Sequence, residues 1–258
     1  MAATKKGVWD LQEVRDKQLQ SEWNYEGYSA GFIFSWGTNQ HGKLGQNNPT
    51  PTTRLSATES IGNGIPGEDN LWTDMMTGGI EVSFTGGTKT DGTLWMWGRN
   101  YAGQLGLNGN IPTSRSSPCQ VGTDTTWAMR DDSYNGNDRA KMVTGQGGTL
   151  AIKTDGSLWG WGENQAGQLG LNQNGTNARK SSPTQIPGNW SYINRVKDSG
   201  VYGIKTDNTL WCWGVNTEGQ VGVNDTSTPR YSSPVQVPGT DWARLMGAGS
   251  IFATKKVY

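Results

Sequence analysis

The sequence predicts an all-β fold, a β-propeller of about four blades. Three observations carry that expectation. Marker tryptophans recur at intervals of 52 to 64 residues, each copy holds a hairpin signal, and the 258 residues include 38 glycines and 13 tryptophans. Abundant glycine alone reads as disorder, but disordered chains are poor in aromatics. Glycine together with tryptophan reads as tight turns around a core of large rings. The interval exceeds most helical solenoid repeats and suits a propeller blade with its loops.

The repeat is explicit in three copies. They are Lys89-Thr-Asp-Gly-Thr-Leu-Trp-Met-Trp-Gly-Arg-Asn100, Lys153-Thr-Asp-Gly-Ser-Leu-Trp-Gly-Trp-Gly-Glu-Asn164 and Lys205-Thr-Asp-Asn-Thr-Leu-Trp-Cys-Trp-Gly-Val-Asn216. Each continues into a Gly-Gln-Leu/Val-Gly turn and later reaches Ser-Ser-Pro-x-Gln at Ser116, Ser181 or Ser232. A diverged first copy reads Phe34-Ser-Trp-Gly-Thr-Asn39 and Gly42-Lys-Leu-Gly45. Asp91-Gly92, Asp155-Gly156 and Asp207-Asn208 suit type I′ hairpin turns, because Asp, Asn and Gly adopt φ > 0 cheaply. Apolar, β-prone residues flank each turn, so every unit opens with an antiparallel hairpin. Strand side chains alternate between faces, which puts Trp95 and Trp97 on one face, and likewise Trp159 with Trp161 and Trp211 with Trp213.

A further tryptophan precedes each hairpin, at Trp72, Trp127, Trp190 and Trp242. Rings repeated in register read as packing between blades, where each buries about 150–250 Å². Trp97, Trp161 and Trp213 are therefore expected to be buried and equivalent. The first copy lacks the strand that precedes each later hairpin, and Ile251-Phe-Ala-Thr-Lys255 supplies such a strand at the other end. Pairing them makes the N- and C-terminal strands share one blade and hides two sheet edges. The competing expectation is an open arc completed by another subunit.

The pattern Thr-Asp-Gly-x-Leu-Trp-x-Trp-Gly-x-Asn-x-x-Gly-Gln-Leu-Gly resembles the regulator-of-chromosome-condensation repeat, also seen in alpha-tubulin-suppressor-like proteins. The resemblance covers about residues 28–258 and implies blades of four strands. This chain departs from it in showing four repeats rather than seven, and in lacking the histidine often found before the hairpin turn. Nothing matches a nucleotide-exchange surface, so the resemblance transfers no catalytic residue. Residues 1–27 lie outside the repeat and form an expected anchor or arm. Ala3 to Trp23, with its Gly-Val-Trp-x-Leu start, looks like a leader on structural proteins of marine tailed phages. Asp10 suits a helix cap, and Leu11, Val14 and Leu19 fall loosely on one face. Val8, Trp9, Leu11, Val14, Leu19 and Trp23 are the expected partner-binding residues, with a short helix packed on its own propeller as the alternative.

Composition excludes several functions. Lysine plus arginine and aspartate plus glutamate both total 22, and without a basic footprint nucleic-acid binding is not expected. No apolar run is long enough to span a membrane, and residues 1–10 lack the apolar run of a secretion signal. Cys119 and Cys212 stand at non-equivalent repeat positions and read as free thiols. No nucleophile elbow, phosphate loop, zinc-ligand or dinucleotide motif occurs, so no catalytic residue and no cofactor is expected. His41 reads as a solvated turn residue. Asp131-Asp-Ser-Tyr-Asn-Gly-Asn-Asp138 resembles the start of a calcium loop, but its twelfth position is Met142 rather than a bidentate Glu. It reads as a polar insertion without metal, in which Asp131, Asp132, Tyr134, Asn135 and Asp138 are candidate contacts. The stretch Ser56–Asn70 is a second interruption of the repeat, and loops carry function more often than scaffold does.

The functional expectation is a non-enzymatic phage virion accessory protein: a decoration, fibre or neck component. Its N-terminal segment would bind phage structural proteins, its propeller would face a host-surface receptor, and it could be oligomeric on the particle. A cellular protein-interaction adaptor and a carbohydrate-binding lectin are the alternatives.

Overall fold

The computed structural model describes residues 31–50, 52–60, 71–77, 83–109, 113–128, 140–195, 199–225, 227–247 and 251–256. All extended segments belong to antiparallel ladders. Blade I is a four-stranded meander of β3 (Trp72–Thr77), β4 (Phe84–Lys89), β5 (Leu94–Gly98) and β6 (Arg115–Gln120). Blade II follows with β7 (Met142–Gly145), β8 (Gly148–Ile152), β9 (Ser157–Gly162) and the first half of a long strand, β10 (Lys180–Arg195). The second half of β10 opens blade III and pairs with β11 (Val201–Lys205), which continues to β12 (Leu210–Val215) and β13 (Arg230–Gln236). Gly188, at φ +119°, lies in β10 where it passes from one blade to the next.

Two half-blades flank these three. β1 (Phe34–Thr38) pairs with β2 (Thr53–Glu59), and β14 (Trp242–Gly247) pairs with β15 (Ile251–Lys255). In the repeat alignment, β1 and β2 correspond to the third and fourth strands of a blade, and β14 and β15 to the first and second. The residues Ser56–Glu59, expected to interrupt the repeat, are part of β2. Their Thr- and Ser-rich alternation pairs with β1 in the register that β6 keeps with β5.

The hairpin turns differ in type from the expectation. Gly92, Gly156 and Asn208 are left-handed, but Asp91, Asp155 and Asp207 are not. Gly92 donates its N–H to the Lys89 carbonyl, and Lys89 donates to that of Thr93. This is a three-residue loop with a type I turn and a left-handed residue after it. The carboxylate decides the form: Asp91 Oδ1 accepts from the Thr93 N–H at 2.9 Å and its hydroxyl at 2.6 Å, and Asp155 and Asp207 repeat the pattern. A side-chain bond two residues ahead holds the aspartate in the ordinary right-handed region. These aspartates are therefore turn formers.

Successive blades are joined by one repeated seam. The Trp97 indole N–H donates to the Lys43 carbonyl at 2.9 Å, Trp161 to that of Gln104 at 2.9 Å, and Trp213 to that of Gln168 at 3.0 Å. Two residues beyond each acceptor stands a left-handed glycine: Gly45, Gly106 or Gly170. A Cβ on Gly106 would lie 2.8 Å from the Trp161 indole nitrogen. Only glycine accepts both that backbone and that ring. Trp97, Trp161 and Trp213 are at most 1% exposed, as expected of equivalent packing residues. Each meets an inner-strand ring edge-on, with centroids 5.6 Å apart for Trp72 and Trp97, 5.8 Å for Trp127 and Trp161, and 5.4 Å for Trp190 and Trp213. On the next strand, Leu150 packs in one buried cluster with Ile193, Val201 and Trp213 of the following blade. Asn39, Asn100, Asn164 and Asn216 close the turn below the seam, each accepting the N–H five residues on.

Among the described residues the expected shared terminal blade is not seen: β1 is hydrogen-bonded to β2 and β15 to β14, and no ladder joins the two pairs. The seams are built from the same Trp–Gly and Trp–Trp contacts, and the described strands end in two half-blades that are not hydrogen-bonded to each other.

Candidate interaction surface

The expected anchor residues Val8, Trp9, Leu11, Val14, Leu19 and Trp23 lie outside the described residues, as do Asp131, Asp132, Tyr134, Asn135 and Asp138. The structure does describe where the insertion is rooted. Trp127 bridges Lys153, and the Ala128 N–H donates to the Ile152 carbonyl at 3.0 Å. Ile152 in turn donates its N–H to Lys141 at 2.7 Å. A single inner-strand residue therefore clamps both stems. In blades I and III the corresponding place is only a register shift, between Trp72 and Asp74 and between Trp190 and Tyr192. The insertion enlarges a bulge, which is where a strand tolerates extra residues. The segment 61–70 also rejoins the described chain beside an Asp turn, where Thr90 donates to the Leu71 carbonyl at 2.8 Å. Both segments thus meet the scaffold at the rim that carries the Asp turns.

That rim has its own recurrent chemistry. The Lys153 ammonium lies 5.0 Å from the Trp127 ring and 4.1 Å from Trp159. Lys89 sits likewise between Trp72 and Trp95, and Lys205 between Trp190 and Trp211. Cations over indole faces are attracted by the ring quadrupole, and burial lowers the pKa of Lys89 and Lys205. The second tryptophan of each clamp donates its N–H to Thr93, Ser157 or Thr209, so the clamp is locked to the Asp turn. Lys153 is also paired with Asp124, whose carboxyl is held at about 2 by hydrogen bonds from Lys153 and Thr126. A cavity of about 280 Å³ opens against Trp127, Lys153, Trp159 and Asp124. The same rings that read as packing in the sequence also form this cavity wall. Lysine at the hairpin start was the available signal for the clamp, and its meaning appears only once two strands bring two rings beside it.

Reactive groups are scattered. His41 is exposed in a turn at φ +58°, with its pKa lowered by desolvation and by Arg99. Cys119 and Cys212 are free thiols whose pKa values burial raises, which disfavours the nucleophilic thiolate. Among the described residues no group of three or more His, Cys, Asp or Glu side chains could hold a metal ion. No helix among them is long and apolar enough to cross a membrane.

Four-stranded blades joined by tryptophan seams define a β-propeller. The repeat model described as "Regulator of chromosome condensation (RCC1) repeat" matches residues 91–131 and 155–198, and a second model of the same description matches 140–168. Residues 91–131 and 140–198 of the chain thus carry RCC1-type repeats. It is 30% identical over 205 residues to the human probable E3 ubiquitin-protein ligase HERC6, covering 77% of this chain and 17% of that protein. It is 29% identical over 217 residues to the Arabidopsis thaliana ultraviolet-B receptor UVR8, covering 80% of this chain and 42% of the receptor. Human WBSCR16 superposes with a TM-score of 0.63 at 19% identity over 89% of this chain and 54% of that one. Yeast RCC1 (Prp20), solved with Kap60, gives 0.63 at 18% over 88% and 51%. The chain thus spans less than half of these curated relatives, and what matches the ligase is the repeat part.

Proposed function

We propose that this chain is a non-enzymatic, protein-binding propeller that presents its partner-specific loops on the Asp-turn rim. The observation that supports this most directly is the use of the repeated polar groups. Asp91, Asp155 and Asp207 are spent on turns, Asn100, Asn164 and Asn216 on the loops below the seam, and the buried indoles on blade joints. What differs between repeats is the clamped insertion beside Trp127, and differences displayed on a rigid scaffold are what a binding protein selects with. In its sharper form the proposal is a virion accessory protein. Its residues 1–25 bind a phage structural partner, and its propeller projects toward a host receptor. The support for that form is the leader-like sequence with Val8, Trp9 and Leu11 as a small apolar hot spot. A cellular adaptor is the second reading, favoured by the likeness to HERC6 and UVR8.

Chain lacking residues 1–25 is expected to keep its circular-dichroism spectrum and thermal midpoint but to be absent from purified particles. Joint replacement of Asp131, Asp132, Tyr134, Asn135 and Asp138 by alanine is expected to leave incorporation intact and abolish receptor binding. Normal incorporation of the truncated chain would sink the anchor. A soluble host complex recovered in place of particles would support the adaptor.

A further inference from the structure

The two half-blades carry complementary unfilled halves of the same seam. Trp36 is the counterpart of Trp97, Trp161 and Trp213, yet it is 62% exposed. The glycine that such a ring covers has a fourth counterpart in Gly222. Gly45, Gly106 and Gly170 each lie against an indole, but a Cβ on Gly222 would meet only Val237 at 3.9 Å. A cavity of about 370 Å³ opens there, lined by Gln220, Gly222, Cys212 and Trp242.

The inner strands show the reverse relation. Phe252 is the counterpart of Leu150 and Tyr202, which are 0% and 3% exposed because the next blade covers them. Phe252 is 67% exposed. At the other end, a groove of about 540 Å³ runs between β1 and the face of blade I, lined by Phe34, Trp36, Met75, Thr85 and Trp97. Met75, Thr85 and Trp97 correspond to Ile193, Val201 and Trp213, the residues that bury Leu150. Among the described residues, one end therefore presents the outer strand pair without an inner one, and the other presents the inner pair without an outer one.

We propose that a second copy of this chain supplies the missing halves, so that two chains close head to tail into one ring. β15 of each copy pairs with β1 of the other. The register follows from the internal repeats. Thr85, Thr149 and Val201 pair with Trp97, Trp161 and Trp213, and Gly87, Ala151 and Gly203 with Trp95, Trp159 and Trp211. Ile251 thus faces the partner copy's Trp36, and Ala253 its Phe34. The Trp36 indole then covers the partner copy's Gly222, and Phe252 enters the groove at Met75 and Thr85. Leu55, 94% exposed in β2, takes the place that Ser116, Ser181 and Ser232 hold against the preceding turn. Three complete blades and two halves from each chain give an eight-bladed ring with a twofold axis along its channel, within the usual four to eight blades. This closure is independent of the proposed partner and of the role of residues 1–25.

The test is mixed cross-linking of the full chain. Phe34→Cys and Ala253→Cys chains are prepared separately, mixed and oxidised. A disulfide-linked dimer that forms only in the mixture is expected, together with a light-scattering mass of twice 28.0 kDa for the unmodified protein. Trp36→Asp and Phe252→Asp should each halve that mass while preserving the blade signal in circular dichroism. A monomer in which the double variant Phe34→Cys/Ala253→Cys links within one chain would overturn the proposal in favour of self-closure. A monomer that cross-links in neither arrangement would overturn it as well.

Discussion

The seam at Trp161 and the half-seam at Trp36 are built from the same motif and have opposite fates. Trp161 is fully buried, its indole bonded to Gln104 and pressed on Gly106. Trp36 stands in the same Trp-Gly context and is 62% exposed. The difference lies in the neighbour: Trp161 has the turn of the preceding repeat beneath it, and Trp36 has none within the described chain. In a repeat protein, burial belongs to the interface between units rather than to the unit, and stability follows the number of interfaces made.

The largest test of that statement is ring removal. Trp161→Ala is expected to cost about 3–5 kcal/mol, as for other large-to-small core substitutions. Trp36→Ala, read at a dilution where the chain is monomeric, should leave the thermal midpoint almost unmoved. Equal losses would show that Trp36 is packed in the monomer. A smaller contrast comes from the glycines. Alanine at either Gly106 or Gly222 adopts a left-handed backbone at a cost of about 1–2 kcal/mol. Only at Gly106 must it also displace an indole 2.8 Å away. Gly106→Ala should therefore destabilise more than Gly222→Ala, and equal values would mean the ring yields freely.

The smallest effect is electrostatic and lies on the rim. Lys153 and Thr126 hold the Asp124 carboxyl at about 2, below its ordinary value of about 4. A depressed carboxyl stabilises the fold above its unfolded pKa, and that contribution is lost as pH falls toward 2. Asp124→Asn should lower stability slightly at neutral pH, leave it nearly unchanged near pH 2, and so flatten the acid limb of the stability profile between pH about 4 and 2. Because Asp124 is partly solvated, solvent screening keeps the effect small. An unchanged acid limb would place the pairing outside the folding balance.

Much of this architecture is legible in the repeated residues. Thr-Asp-Gly and Leu-Trp-x-Trp-Gly mark the two central strands of every complete blade, and the Ser-Ser-Pro segments are the outer strands. Three features escape. The type of hairpin turn depends on whether Asp91 bonds ahead to Thr93, a choice that Asp-Gly composition leaves open. Whether β1 meets β15 depends on how several seams add up around the propeller, which no local motif encodes. The lysine clamps depend on two strands and two rings meeting around one ammonium, so Lys153 carries no signal by itself. The candidate contacts were read from departures from the repeat, and their anchorage became visible only in the bonds of Ile152 to Ala128 and Lys141.

β10 leaves blade II and enters blade III without a break. The unit copied in the sequence is therefore offset from the unit that folds. Gene duplication or loss of one repeat adds or removes strands from two adjacent blades at once, and it regenerates the same two ends each time. Lineages carrying such a chain can change blade number by whole repeats without redesigning a junction, and the surface loops can diverge in one copy while the joint chemistry is inherited intact.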